Sequence, residues 1–205
     1  MKKIISMLMA CIILATMLGG CGKSLQAEED TVFVKKKGGI VSAIIETLDK
    51  EYYDATELET YVKERVDDYN ANHEKDSVEV DKFSVEGDTA TLYMKFAGYQ
   101  DYAEFSEVEF FAGLVSQALV AGYKFDTEFI AIENGVAAGS VKMEDVTGNS
   151  EYKVAIVSEK INVKVDGEVI FMSKDNTSLV AKDTVAIQSP DADSSEQPLT
   201  YVIYK

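Results

Sequence analysis

The 205-residue chain reads as an α+β protein built on antiparallel sheet, and three features of its sequence predict this. Short runs in which apolar and polar residues alternate recur between residues 31 and 204, the rhythm of strands with one face buried and one wet. Turn signals separate the runs, namely Lys37-Gly38-Gly39, Glu86-Gly87-Asp88, Asn134-Gly135 and Asp166-Gly167. Two stretches carry helical spacing, and the regular strand–helix–strand alternation that builds a parallel sheet is missing.

The chain opens with Lys2 and Lys3, then an apolar run over residues 4–17 broken by one serine and one threonine, and then Leu18-Gly19-Gly20-Cys21. A basic start, an apolar run and small residues in that order make a secretory signal peptide. The run falls short of the about 20 residues a helix needs to cross a bilayer. Leu18-Gly19-Gly20-Cys21 resembles the lipobox of bacterial lipoproteins, with Leu three positions before the Cys and small residues between. The resemblance implies that residues 1–20 are removed and that the Cys21 thiol carries a diacylglyceryl group as the first mature residue. With about 0.8 kcal/mol for each methylene buried in lipid, two chains make a stable anchor where one is marginal. The expected location is the extracytoplasmic face of the cell membrane, with the membrane as partner through Cys21. Residues 21–30, small or polar and ending in Glu28-Glu29-Asp30, read as a flexible tether. A single globular domain is expected over residues 31–205.

Within that domain, residues 31–34 and 40–45 are β-prone and flank a glycine turn, which predicts a first hairpin. The lysine run Lys35-Lys36-Lys37 at the turn is read as protection of an edge strand, with contact to anionic headgroups as the alternative. Residues 54–70 are predicted to form an amphipathic helix. Leu58, Tyr61, Val62, Val66 and Tyr69 recur on one face, and Thr56-Glu57-Leu58-Glu59 has the form of a capping box. Glu59 and Lys63 are spaced as an i,i+4 pair. Residues 78–85 and 89–96 form a second predicted hairpin. Its second arm alternates cleanly, while the first slips phase between Val80 and Phe83, the mark of a bulge.

Ser106-Glu107-Val108-Glu109 has the form of a second capping box, and residues 110–121 are apolar on almost every side before Gly122. This predicts a largely buried second helix at the centre of the core. Strands are predicted after it at residues 129–133 and 136–141 around Asn134-Gly135, and at 154–157. Others follow at 161–165 and 168–172 around Asp166-Gly167, at 184–187 and at 200–204. Residues 189–198 are expected to be an acidic surface loop.

Composition narrows the chemistry. Removing Lys2 and Lys3 with the leader leaves 18 basic against 36 acidic side chains, a net charge of −18. Such a field repels polyanions, and no basic stripe for nucleic acid exists apart from Lys35-Lys36-Lys37. Cys11 departs with the leader and the lipobox cysteine is consumed as a thioether, so disulfides, thiolate metal sites and cysteine nucleophiles are excluded. His73 is the single histidine, which removes multi-histidine metal sites, and its polar surroundings read as the solvated exit of a helix. Neither a catalytic residue nor a metal or cofactor site is expected.

Phosphate-binding glycine patterns, H-E-x-x-H and G-x-S-x-G are all absent. Asp191, Asp193 and Ser195 are spaced like the start of a calcium loop, but Glu196 stands at the sixth position and Val202 at the twelfth, where Gly and Glu are diagnostic. The acid pairs Glu107/Glu109 and Asp101/Glu104 are the ones a glycosidase would use. Tyr99, Asp101, Tyr102 and Glu104, just ahead of the predicted central helix, are the candidate binding residues. Rings that stack on sugar faces beside carboxylates that bond hydroxyls suit a glycan or peptide pocket. In the competing reading, favoured by the lack of tryptophan, the rings fold inward over the core.

The mature part also resembles small lipoproteins of uncharacterised function from Gram-positive anaerobes, which share the lipobox, an acidic α+β domain and a helix like residues 108–121. That resemblance implies no functional residue. The function expected is a lipid-anchored, non-catalytic binding or structural module of the cell envelope, with a glycan, a peptide or an envelope protein as partner and nucleic acid excluded. Two alternatives are carried forward: a glycan or cell-wall hydrolase using a carboxylate pair, and a small solute-binding lipoprotein serving a transporter.

Overall fold

The computed structural model describes residues 25–50, 53–188 and 198–205. The leader, the lipobox with Cys21, and the Asp191–Ser195 loop lie outside them. In chain order the elements are β1 (Thr31–Val34), β2 (Ile40–Thr47), α1 (Ala55–Asn72), β3 (Val78–Glu86), β4 (Thr89–Phe96) and α2 (Tyr99–Ser106). Next come β5 (Phe110–Leu114), α3 (Val115–Val120), β6 (Phe129–Glu133), β7 (Val136–Val141) and α4 (Met143–Thr147). The chain continues with β8 (Lys153–Val157), β9 (Asn162–Val165), β10 (Val169–Ser173), β11 (Thr177–Ala181), β12 (Thr184–Ile187) and β13 (Thr200–Tyr204).

The strands make two sheets, and the class is α+β. One sheet has seven strands in the order β11-β12-β9-β1-β2-β4-β3, and the other has six in the order β5-β8-β13-β10-β6-β7. All pairings are antiparallel except β1 with β9. The main core lies between the sheets, where Val32, Val34, Ile40 and Met94 of the first meet Ala155, Val157, Val169 and Val202 of the second. A second cluster, with Phe125, Phe129, Val146, Ile156 and Tyr201, lies on the far side of the six-stranded sheet beneath α3, α4 and the segment before β6.

The hairpins follow the sequence signals. The phase slip in the first arm of the second hairpin is a register shift between Val80 and Lys82. Residues 161–165 and 168–172 are strands, but they belong to different sheets, so Asp166-Gly167 carries the chain from one sheet into the other instead of closing a hairpin. The predicted first helix forms as α1 with a different cap. Asp54 Oδ1 accepts from the Thr56 and Glu57 amides at 2.7 and 3.1 Å, so the cap is Asp54 and not Thr56. Glu59 and Lys63 pair at 2.6 Å in solvent, an exposed contact worth at most about 0.5 kcal/mol. Val66 is buried on the core side of the seven-stranded sheet, whereas Tyr61 remains 57% exposed.

Four further expectations are overturned. The helix predicted over residues 108–121 is instead β5 followed by the six-residue α3. Phe110 faces the inter-sheet core and Phe111 the second cluster, so this strand is apolar throughout because both its faces are covered. Ser106 ends α2, and Glu107 caps it in the left-handed region at φ 57°, so the supposed capping box terminates a helix. The lysine turn guards no edge, since β1 and β2 are interior strands of their sheet. Finally, residues 25–30 are not free tether. Leu25, 8% exposed, packs with Phe33, Val41 and Ala43 on the outer face of the seven-stranded sheet. The Ala27 amide donates to the Tyr93 hydroxyl at 3.3 Å and the Ile45 amide to Asp30 Oδ1 at 2.8 Å.

Candidate functional site

Tyr99, Asp101, Tyr102 and Glu104 all fall on α2, where the i, i+3, i+6 spacing of Tyr99, Tyr102 and Phe105 places the rings toward the core. Tyr102 is 3% exposed, and Phe96 and Phe110 meet its ring edge-on at 5.1 and 4.8 Å. Its hydroxyl donates to Glu159 Oε2 at 2.8 Å. Burial first, and the Glu159 charge second, hold that hydroxyl well above its ordinary range, so it stays a donor. Burial likewise raises the Glu159 carboxyl, although the bond from Tyr102 pulls the other way. Half-buried Tyr99 leans on Phe111 at 4.9 Å.

The two carboxylates have local duties as well. Asp101 Oδ2 accepts from the Gly98 amide at 3.0 Å, closing the first turn of α2, and its Oδ1 accepts from the Tyr69 hydroxyl at 3.3 Å. Tyr69 is pushed up to about 12, by burial foremost and then by Asp101 and Glu104. Glu104 meets His73 Nε2 at 3.1 Å. His73 caps the end of α1, as its surroundings predict, with Nδ1 2.9 Å from the Tyr69 carbonyl and its ring stacked on Tyr69 at 3.8 Å. Arg65 completes the joint, donating to the Phe105 carbonyl at 3.0 Å with its guanidinium 4.8 Å above the Phe105 ring. Asp101 and Glu104 therefore join α2 to α1 while Tyr99 and Tyr102 pack toward β4 and β5, and the platform of exposed rings that a sugar or peptide would need is not formed.

Open space lies elsewhere. A cleft of about 740 Å³ sits at the ends of β1, β2, β9 and β12, bordered by Glu28, Glu29, Asp30, Ile45, Lys160 and Asn162. Three carboxylates against one lysine give it the sign for a neutral or cationic guest, and its size is that of a small-molecule site. Part of its wall is already fastened, because Asn162 Nδ2 donates to Glu29 Oε2 at 3.1 Å while Asp30 holds the Ile45 amide. Neither acid pair singled out in the sequence borders it. A second cleft of about 520 Å³ at the β6–β7 turn is bordered by Glu133, Glu168, Lys182 and Lys205, with Lys182 and Glu168 paired at 3.1 Å.

No protein-family model matches the chain, and neither curated proteins nor solved structures show a significant match to it. The chemistry must therefore be judged from these clefts alone. Among the described residues, no three carboxylates or imidazoles gather as a metal cage requires. The larger cleft escaped sequence reasoning because its walls come from four strand ends far apart in the chain. The one local signal was the run Glu28-Glu29-Asp30 immediately ahead of a strand.

Proposed function

We propose that this protein is a lipid-anchored extracytoplasmic module of the cell envelope that binds or scaffolds and does not catalyse. The single observation carrying this reading is Leu18-Gly19-Gly20-Cys21 behind a basic, apolar leader. Support comes from the two-sheet body, whose larger cleft presents carboxylates and isoleucines and, among the described residues, no hydroxyl, thiol or imidazole side chain at its border. A small neutral or cationic solute delivered to a transporter is the second reading, favoured by the cleft's volume. The hydrolase reading draws no support from the Asp101/Glu104 pair: Asp101 is taken up by the Gly98 amide and the Tyr69 hydroxyl, and Glu104 by His73, and neither borders a cleft described above.

Cells fed a labelled fatty acid provide the test. The native chain is expected to take up label and remain with the membrane, while Cys21→Ser loses the label and appears in the medium. Equal labelling of the two sinks the anchor. Turnover of any member of a glycan and peptide panel sinks the non-catalytic part.

A further inference from the structure

We infer that the outer face of the seven-stranded sheet, with the turn Lys35-Lys36-Lys37 at its rim, is the face this protein lays against an anionic bilayer. This rests on the lipid anchor at Cys21 proposed above and adds an orientation to it. The first support is the path of the chain ahead of β1. An extended lead-in would carry residues 25–30 away from the sheet, but Ala27 bonds Tyr93 and Leu25 packs beside Phe33 and Val41, so the segment lies back across the outer face. Four peptide units join Leu25 to Cys21, a reach of about 14 Å at full extension. Phe33 stands two residues, about 7 Å, from Lys35. Leu25, the first described residue after the anchor, thus lies on the same face as the lysine turn.

Charge is the second support. Lys36 and Lys37 are exposed and Lys35 is half-buried, and with interior strands on both sides they have no edge to protect. Neither these three nor exposed Lys82 makes an ion pair among the described residues. By register Lys82 shares the outer face with Tyr93, while Lys95 and Lys164 on that face are matched by Asp81 and Asp183. Its acidic exceptions are Glu28 and Glu29, at the end of the face away from the lysine turn, and Glu79 and Glu86 on β3. Meanwhile α1, which carries Glu57, Glu59, Glu64, Asp67 and Asp68, packs on the opposite side of the sheet. In a chain of net charge −18 once the leader is gone, three consecutive lysines without an ion pair among the described residues therefore stand at the rim of the face from which the anchor departs.

Full-length acylated protein in vesicles of phosphatidylcholine alone, or with phosphatidylglycerol added, tests this by lysine acylation read by mass spectrometry. Lys124 and Lys142, exposed beside the far face of the other sheet, serve as internal references. Phosphatidylglycerol is expected to lower the reactivity of Lys35, Lys36 and Lys37 about fivefold relative to those two, the effect of one basic residue at an anionic surface. The protection should vanish at about 1 M salt. In the variant K35E/K36E/K37E, Lys82 should become as reactive as the references while the protein stays vesicle-bound. Equal reactivity of the three lysines on both kinds of vesicle, in protein that carries fatty acid and remains attached, overturns the orientation and leaves the anchor standing. Protein without fatty acid overturns both.

Discussion

Tyr102 and Ser42 are both almost wholly buried, at 3% and 2% exposure, but their hydroxyls differ in circumstance. Tyr102 donates to Glu159, whereas the Ser42 hydroxyl has no partner among the described residues. Tyr102→Phe leaves a half-buried carboxyl without its donor and is expected to cost about 1 kcal/mol in urea unfolding. Ser42→Ala removes an unmatched hydroxyl and should be neutral or stabilise by about 1 kcal/mol in the same measurement. His73 provides a pH test. The Tyr69 carbonyl is the main reason its imidazole sits above the ordinary 6.5, partly offset by burial and reinforced by Glu104. A raised imidazole value means the folded state holds the proton more tightly. The resulting stability is complete below 6.5 and is lost as pH rises through the folded value. Unfolding midpoints measured on either side of that window should show the loss in the native chain and not in His73→Gln.

At the level of elements, the sequence speaks most clearly where one face is wet. Clean alternation in residues 89–96 and the slip between Val80 and Phe83 are legible because water sorts the side chains, and β4 and the β3 bulge follow them. That sorting is missing over residues 110–114. A strand covered on both faces and a buried helix present the same unbroken apolar run, and only the opposite directions of Phe110 and Phe111 distinguish them. The Ser106-to-Glu109 signal misleads for a related reason, because a left-handed Glu107 ends one element just where a capping pattern suggests another begins. The candidate site was half legible: the three-residue spacing of Tyr99, Tyr102 and Phe105 describes an inward helical face, but their partners on α1 and at Glu159 do not show in local sequence. For α1 itself the cap assignment makes a sharp test. Asp54→Ala should lower stability by about 1 kcal/mol, while Thr56→Ala should change it little, as judged by thermal unfolding.

Across the whole molecule, the two sheets are sewn together at Asp166-Gly167, where β9 of one leads to β10 of the other. Gly167 lies against the Lys205 carbonyl so closely that a methyl group there would collide with it. The neighbouring Glu168 exchanges amide and carbonyl bonds with Lys205 at 3.0 and 3.1 Å. Gly167→Ala should therefore displace the end of β13 and cost about 1–3 kcal/mol, the price of strain in a packed site, with hydrogen exchange rising first at β13 and β10. That strand occupies an interior place in its sheet, paired with β8 on one side and β10 on the other, and all five of its residues are buried. Without β13 the second sheet is split through the middle, with β8 and β10 each lacking one neighbour. Closure of that sheet therefore waits on a single strand, and the halves β5-β8 and β10-β6-β7 gain their common backbone partner together.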